Sequence, residues 1–181
     1  MVRMDPEAPP TLEVRGADVR FGPEQALANV DLRLFAGEVH SLMGENGAGK
    51  STLIKAITGA LRLDAGEILL DGAPVHLARP ADAIAAGIST VYQEIDLLPN
   101  LTVAENVSLG REPRRFGIID HAEMRRRAAA ALESLGVSID PGSLLSSHSL
   151  AIQQLVAIAR AVSGDGLRVL VLDEPTSSLD A

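Results

Sequence analysis

Residues 44–52 read GENGAGKST. Gly44, Gly49, Lys50 and Ser51 fall at the spacing G-x-x-x-x-G-K-[ST] of a phosphate-binding loop. The glycines let backbone N–H groups curl around phosphate oxygens without Cβ clashes. A helix beginning near Ser51 adds its positive dipole end. Lys50 reaches the β- and γ-phosphates as a point charge, and the Ser51 hydroxyl can ligate Mg²⁺. An ordinary Gly-rich turn before a helix has the same composition. The flanks decide against it: the apolar run Val39–Met43 reads as a strand, and Leu53, Ile54, Ile57 and Leu61 recur at helical spacing after the loop.

The second chemical signal lies at residues 169–181, VLVLDEPTSSLDA. Four apolar residues deliver Asp173 to the end of a strand, where α/β sheets bind ligands. Asp173 is the candidate Mg²⁺ ligand, and Glu174 the candidate general base for the attacking water. Taken alone, the pair reads as an acidic turn after a strand; beside a phosphate loop it reads as the other half of a nucleotide site.

Composition limits the alternatives. The chain has 181 residues, 46% hydrophobic and 2% aromatic, so Leu, Ile, Val and Ala must build its core. The net charge of −8 argues against nucleic acid as the main partner. With no cysteine, disulfides, thiolate metal sites and Cys nucleophiles are excluded. His40, His76, His121 and His148 lack metal-site spacing. The N-terminus has no apolar signal region, and no apolar run reaches the ~18–20 residues of a membrane span. The expectation is a soluble, cytoplasmic chain.

The remaining pattern is α/β. Residues 1–10 are Pro-rich and expected to be disordered. Short apolar runs at Leu12–Val14, Val19–Phe21 and Val30–Leu34 predict strands, and Gly66–Val75 predicts a hairpin turning at Asp71-Gly72. Pro80–Ala86 predicts a short helix and Ile88–Tyr92 a buried strand. Thr102–Glu105 is a capping box, Asp120–Glu123 a second one before an Ala/Arg helix ending at Gly136, and Ser149 a cap for a helix running to about Ser163. Val169–Leu172 reads as a final buried strand. A helical lobe over about 100–164, inserted into an α/β core that follows an antiparallel β lobe, fits this order.

GENGAGKST together with LDEPTSSLD resembles the ATP-binding cassette (ABC) ATPases, and the resemblance covers about residues 11–181. It implies a P-loop NTPase core of ABC type, ATP and Mg²⁺ as cofactors, and ATP-contacting positions at Gly44, Glu45, Asn46, Gly47, Ala48, Gly49, Lys50, Ser51 and Thr52. It implies that Phe21, in VRFG, stacks on adenine; a core Phe is the competing reading. It implies that Gln93, in VYQE, joins Ser51 and Asp173 at the metal and senses the attacking water, and that Asp180 belongs to a loop crossing to a second ATPase domain. HSLMGENGAGKSTLIKAITG, VYQEIDLLPNLTVAENVSLGREP and GIID further resemble the ATPase subunits of bacterial monosaccharide importers of the ribose, galactose and xylose type.

One motif departs. Where the family carries LSGGQ, this chain has His148–Ile152 at the head of HSLAIQQLVAIARAV. Ser149 survives, whereas Leu150 and Ala151 replace the glycines. The resemblance implies that Ser149, Leu150 and Ala151 face the γ-phosphate held by a second cassette, in cis or as a dimer. Transmembrane permease subunits, and indirectly a periplasmic sugar-binding protein, are the implied partners, with the chain peripheral on the cytoplasmic face of the inner membrane. Arg111–Arg127 carries six Arg against Glu112, Asp120 and Glu123 and reads first as a solvated face; the resemblance offers contact with the membrane subunit or lipid headgroups as the second reading. The family pattern continues beyond residue 181, so the chain reads as a partial, C-terminally truncated cassette. The alternatives are a nucleotide-binding fragment without turnover and a soluble, non-transport ABC ATPase.

Overall fold

The computed structural model describes residues 9–45, 47–92, 96–164 and 166–173. They fall into two compact units, residues 1–89 and 90–181.

The first unit is built on an antiparallel sheet in the order β2-β1-β3-β4. The runs predicted as separate strands at Leu12–Val14 and Val19–Phe21 are one strand, β1 (Leu12–Phe21). A register shift at Arg15–Asp18, with Gly16 at φ 56°, carries β1 through. Its partners are β2 (Glu24–Leu34) and β3 (Ala65–Leu70). β3 returns through Asp71 (φ 48°) and Gly72 (φ 78°) into β4 (Ala73–Val75), the left-handed pair that a two-residue hairpin requires. Leu12, Val14, Ala17 and Val19 of β1 are buried. Glu13 is buried as well, and the Arg15 and Arg33 guanidinium groups donate to its carboxylate at 2.7 and 2.8 Å. Those hydrogen bonds, Arg15 first, hold its pKa below the usual carboxylate range.

Helix α1 (Lys50–Ile57) is shorter than predicted. It ends at Gly59 (φ 71°), where a Cβ would stand 2.5 Å from the Arg79 carbonyl oxygen. Leu61 therefore lies outside the helix. Helix α2 (Pro80–Ala85) begins at Pro80, whose missing N–H costs nothing at a helix start.

The strand predicted at Val39–Met43 is absent. Residues 38–45 have no regular structure, and Val39 and Met43 are 96% and 88% exposed. A strand needs a ladder to satisfy its backbone, and no described strand pairs with this segment.

The second unit is a three-helix lobe. Helices α3 (Val103–Ser108), α4 (His121–Ser134) and α5 (Leu150–Val162) pack together through Val103, Ala104, Val107, Met124, Ala128, Leu132, Val156 and Ala159, with Leu145 from a 3-10 turn (Leu145–Ser147). Met124, Ala128 and Leu132 lie four residues apart, so one stripe of α4 faces this core. Each fully buried Leu or Val contributes roughly 1.5–3 kcal/mol. Strand β5 (Ile88–Val91) pairs with β8 (Val169–Leu172). β8 is only partly buried, and Leu172 is exposed. A hairpin unforeseen in the sequence, β6 (Arg114–Arg115) and β7 (Ile118–Ile119), precedes α4.

Candidate functional site

The phosphate loop is positioned by where a side chain cannot go. Gly49 is the N-cap of α1, at φ 85° and ψ 1°. A Cβ there would lie 2.6 Å from the Ala26 carbonyl oxygen and 3.0 Å from Leu27 Cδ2. Glycine is thus required twice at this position, by its left-handed backbone and by the approach of β2. Gly47 is also left-handed (φ 88°), but a Cβ there would meet nothing within 4 Å. The loop is therefore closed against the sheet at Gly49 and open to solvent at Gly47, a cradle that backbone N–H groups can line.

Within the loop the Ala48 N–H donates to the Glu45 carbonyl at 3.1 Å, and the Leu53 N–H makes the first helical bond to Gly49 at 2.9 Å. The Lys50 ammonium donates to the carbonyls of Gly44 and Glu45, the latter at 2.9 Å. A cation is thereby held over the loop beside the first turn of α1, where Ser51 is exposed and Thr52 half-buried. This donor set fits an ATP phosphate chain: backbone N–H groups, one flexible ammonium and one hydroxyl. Phe21 closes β1 at 52% exposure, available for stacking rather than built into a core. It opposes Glu24 at the start of β2, the strand against which Gly49 packs.

In the second unit, Asp173 follows β8 directly, and its N–H donates to the Val91 carbonyl of β5 at 2.9 Å. The Asp173 backbone is therefore held at the end of the paired strands. Asn46, Gln93, Glu174 and Asp180 lie outside the described residues. Among the described residues no cluster of three His, Asp or Glu forms a ready-made cation site.

The variant signature segment starts α5. Ser149 is its N-cap, its hydroxyl accepting from the Ile152 N–H at 3.4 Å. Leu150 and Ala151 are exposed at the first two helical positions. Two side chains fix the approach. The Ser143 hydroxyl donates to the Asp140 carbonyl at 2.6 Å and sits 2.7 Å from His148 Nε2, while Gln153 Nε2 donates to the His148 carbonyl at 2.9 Å.

Sequence reasoning missed two anchors of the segment that follows Gln93. Asn106 is fully buried, and its side chain accepts from the Leu98 N–H at 2.8 Å and donates to the carbonyls of Leu98 and Thr102 at 3.0 Å. Arg160, near the end of α5, donates to the Asp96 carbonyl at 2.9 Å, and Arg111 donates to the Arg160 carbonyl at 2.8 Å. The capping box one turn earlier marked where α3 begins, but a buried Asn that staples a loop has no local signature.

The model of the ABC transporter family matches residues 27–177. The chain belongs to the ABC transporter family. Over 170 residues it is 54% identical to a protein of Rubrobacter xylanophilus named ribose import ATP-binding protein RbsA 1, covering 94% of this chain and 34% of that protein. It is 53% identical over 173 residues to the fructose import ATP-binding protein FruK of Bifidobacterium longum, with 95% and 34% covered. The chain thus spans about a third of the length of the curated relatives it matches. Among solved structures, cbiO1 of Clostridium perfringens, part of the ABC transporter complex cbiONQ, superposes with a TM-score of 0.78 at 28% identity, covering 93% of this chain and 67% of that one. MJ1267, an ATP-binding cassette of an ABC transporter, gives 0.79 at 29% identity, with 93% and 70% covered. The fold is therefore that of the P-loop ABC cassette. No helix among the described residues is long and apolar enough to cross a membrane.

Proposed function

We propose that this chain supplies the ATP-binding and hydrolysing cassette of a monosaccharide importer. The observation that carries the reading is the glycine-locked phosphate loop with Lys50 held over it, in a chain that shares more than half its residues with sugar import ATP-binding proteins. The backbone of residues 44–52 and Lys50 bind the phosphates of ATP, and Phe21 stacks on the adenine. Ser51, Asp173 and Gln93 would hold Mg²⁺, which neutralises charge developing on the phosphates. Glu174 orients and deprotonates the attacking water, and Gln93 reports the γ-phosphate to the segment anchored by Asn106 and Arg160.

Ser149 and the N–H groups of Leu150 and Ala151 face the γ-phosphate bound by a second cassette. Closure on ATP and reopening after hydrolysis then drive a membrane permease, fed by a periplasmic binding protein. The chain works at the cytoplasmic face of the membrane.

The test is uptake of labelled ribose, galactose, xylose and fructose in cells carrying the native gene with Lys50→Ala or Glu174→Gln. Loss of uptake of at least one sugar in both variants is expected. Unchanged uptake of all four would reject the reading.

A further inference from the structure

The β6–β7 hairpin is the least buried ordered element of the second unit, and its composition is unusual for this chain. There are only three Phe, one Tyr and no Trp in 181 residues, yet one of those aromatics, Phe116, is 93% exposed at the hairpin tip. Ile118 beside it is 74% exposed. Phe116 (φ 52°) and Gly117 (φ 83°) form the two-residue turn. Asn or Asp normally takes the first of these left-handed positions, because a bulky side chain is disfavoured there. Here the backbone accepts that strain and presents a phenyl ring to the outside, which points to a use for the ring.

The cations at the tip make only local contacts among the described residues. Arg114 donates across the turn to the Gly117 carbonyl at 3.4 Å, and the Arg115 guanidinium lies over the Phe116 ring at 5.7 Å from its centre. Neither is ion-paired among the described residues. Of the neighbouring acids, Glu112 accepts from the Gly110 N–H, a bond that together with the nearby Arg114 charge lowers its pKa, and Asp120 caps α4. Two cations and two apolar side chains thus share one small projecting element of a chain whose net charge is −8.

We propose that this hairpin is a contact finger for an anionic phospholipid surface. Phe116 and Ile118 enter the boundary between headgroups and acyl chains, and Arg114 and Arg115 bind lipid phosphates. The charge sign selects an anionic partner, and guanidinium groups pair with phosphate through paired hydrogen bonds. The size of the apolar tip favours lipid over protein. Two side chains fall far short of the ~800 Å² per partner of a stable protein interface, whereas a fluid bilayer needs no complementary pocket. The chain's overall negative charge does not oppose this, because charges beyond a Debye length of about 8 Å are screened at physiological salt. The contact is weak and reversible, and it is independent of the nucleotide site.

With no Trp in the chain, Phe116→Trp makes the tip its own reporter. The variant is titrated with phosphatidylcholine vesicles and with equimolar phosphatidylcholine/phosphatidylglycerol vesicles. A blue shift and co-sedimentation with the anionic vesicles alone, weakened by salt, are expected. In that background Arg115→Glu lowers partitioning at least fivefold, while Arg125→Glu, the same charge change on the exposed face of α4, lowers it less than twofold. Absence of binding, equal binding to neutral vesicles, or equal effects of the two reversals would overturn the proposal. A photocrosslinker at residue 116 that captures a protein and no lipid in native membranes overturns it in favour of a protein dock. ATP binding measured on the same samples separates failure of the finger from failure of the cassette reading.

Discussion

Gly49 and Gly47 have nearly the same φ, but different surroundings. Gly49→Ala places a methyl group 2.6 Å from the Ala26 carbonyl oxygen as well as in a strained backbone. We expect it to cost about 2–4 kcal/mol, against about 1 kcal/mol for Gly47→Ala, where the strain stands alone. Urea denaturation of both variants measures the difference, and equal midpoints would contradict the role given to β2. The loop was legible in the sequence because its chemistry is local: Gly44, Gly49, Lys50 and Ser51 lie within eight consecutive residues. The strand expected just before it was not, because Val39–Met43 is apolar enough for a strand but ordering it needs a neighbour that sequence pattern does not supply.

At the level of elements, the lobe rests on caps and one buried amide. The Thr102 hydroxyl accepts from the Glu105 N–H at 3.2 Å, and Glu105 returns a bond to the Thr102 N–H at 2.7 Å. Thr102→Ala should cost about 1 kcal/mol. Asn106→Leu leaves the Leu98 N–H without its acceptor and takes one of two donors from the Leu98 and Thr102 carbonyls, and should cost about 2–3 kcal/mol. Thermal unfolding ranks the two, and a milder Asn106→Leu would contradict the staple. Glu123 supplies a pH prediction. Hydrogen bonds from Arg126 and then Arg127 lower its pKa from 4.5 to about 2. Because the folded value is the depressed one, this stabilisation is present above pH 4.5 and fades as pH falls toward 2. Glu123→Gln should therefore narrow the stability gap between pH 6 and pH 3, modestly, since the pair is exposed. A gap as wide as the parent's would contradict the pairing.

Helix starts at Thr102, Asp120 and Ser149 and the turn at Asp71-Gly72 were readable because caps and two-residue turns are short-range devices. The Arg114–Ile119 hairpin was not, because its strands have two residues each and its turn begins with a phenylalanine.

Across the whole molecule, order is uneven. Residues 38–45 carry apolar side chains with no ladder, whereas α3, α4 and α5 share a buried core. Amide exchange should be fast through 39–43 and slowest in α4 and α5. Slow exchange at Val39 and Leu42 would reveal a strand pairing that the described residues lack. The class of fold was readable at this scale because two motifs belong together. The sheet order β2-β1-β3-β4 was not, since it depends on pairings between residues as far apart as Leu12 and Leu70.

The central claim is that residues 44–52 bind the phosphates of ATP. Equilibrium dialysis of labelled ATP with Mg²⁺ against the parent chain and Lys50→Ala tests it most directly. The account predicts saturable binding by the parent and at least a tenfold weaker affinity in the variant, with its helical signal unchanged. Equal affinity in the two chains, or no saturable binding by a folded parent, would contradict it.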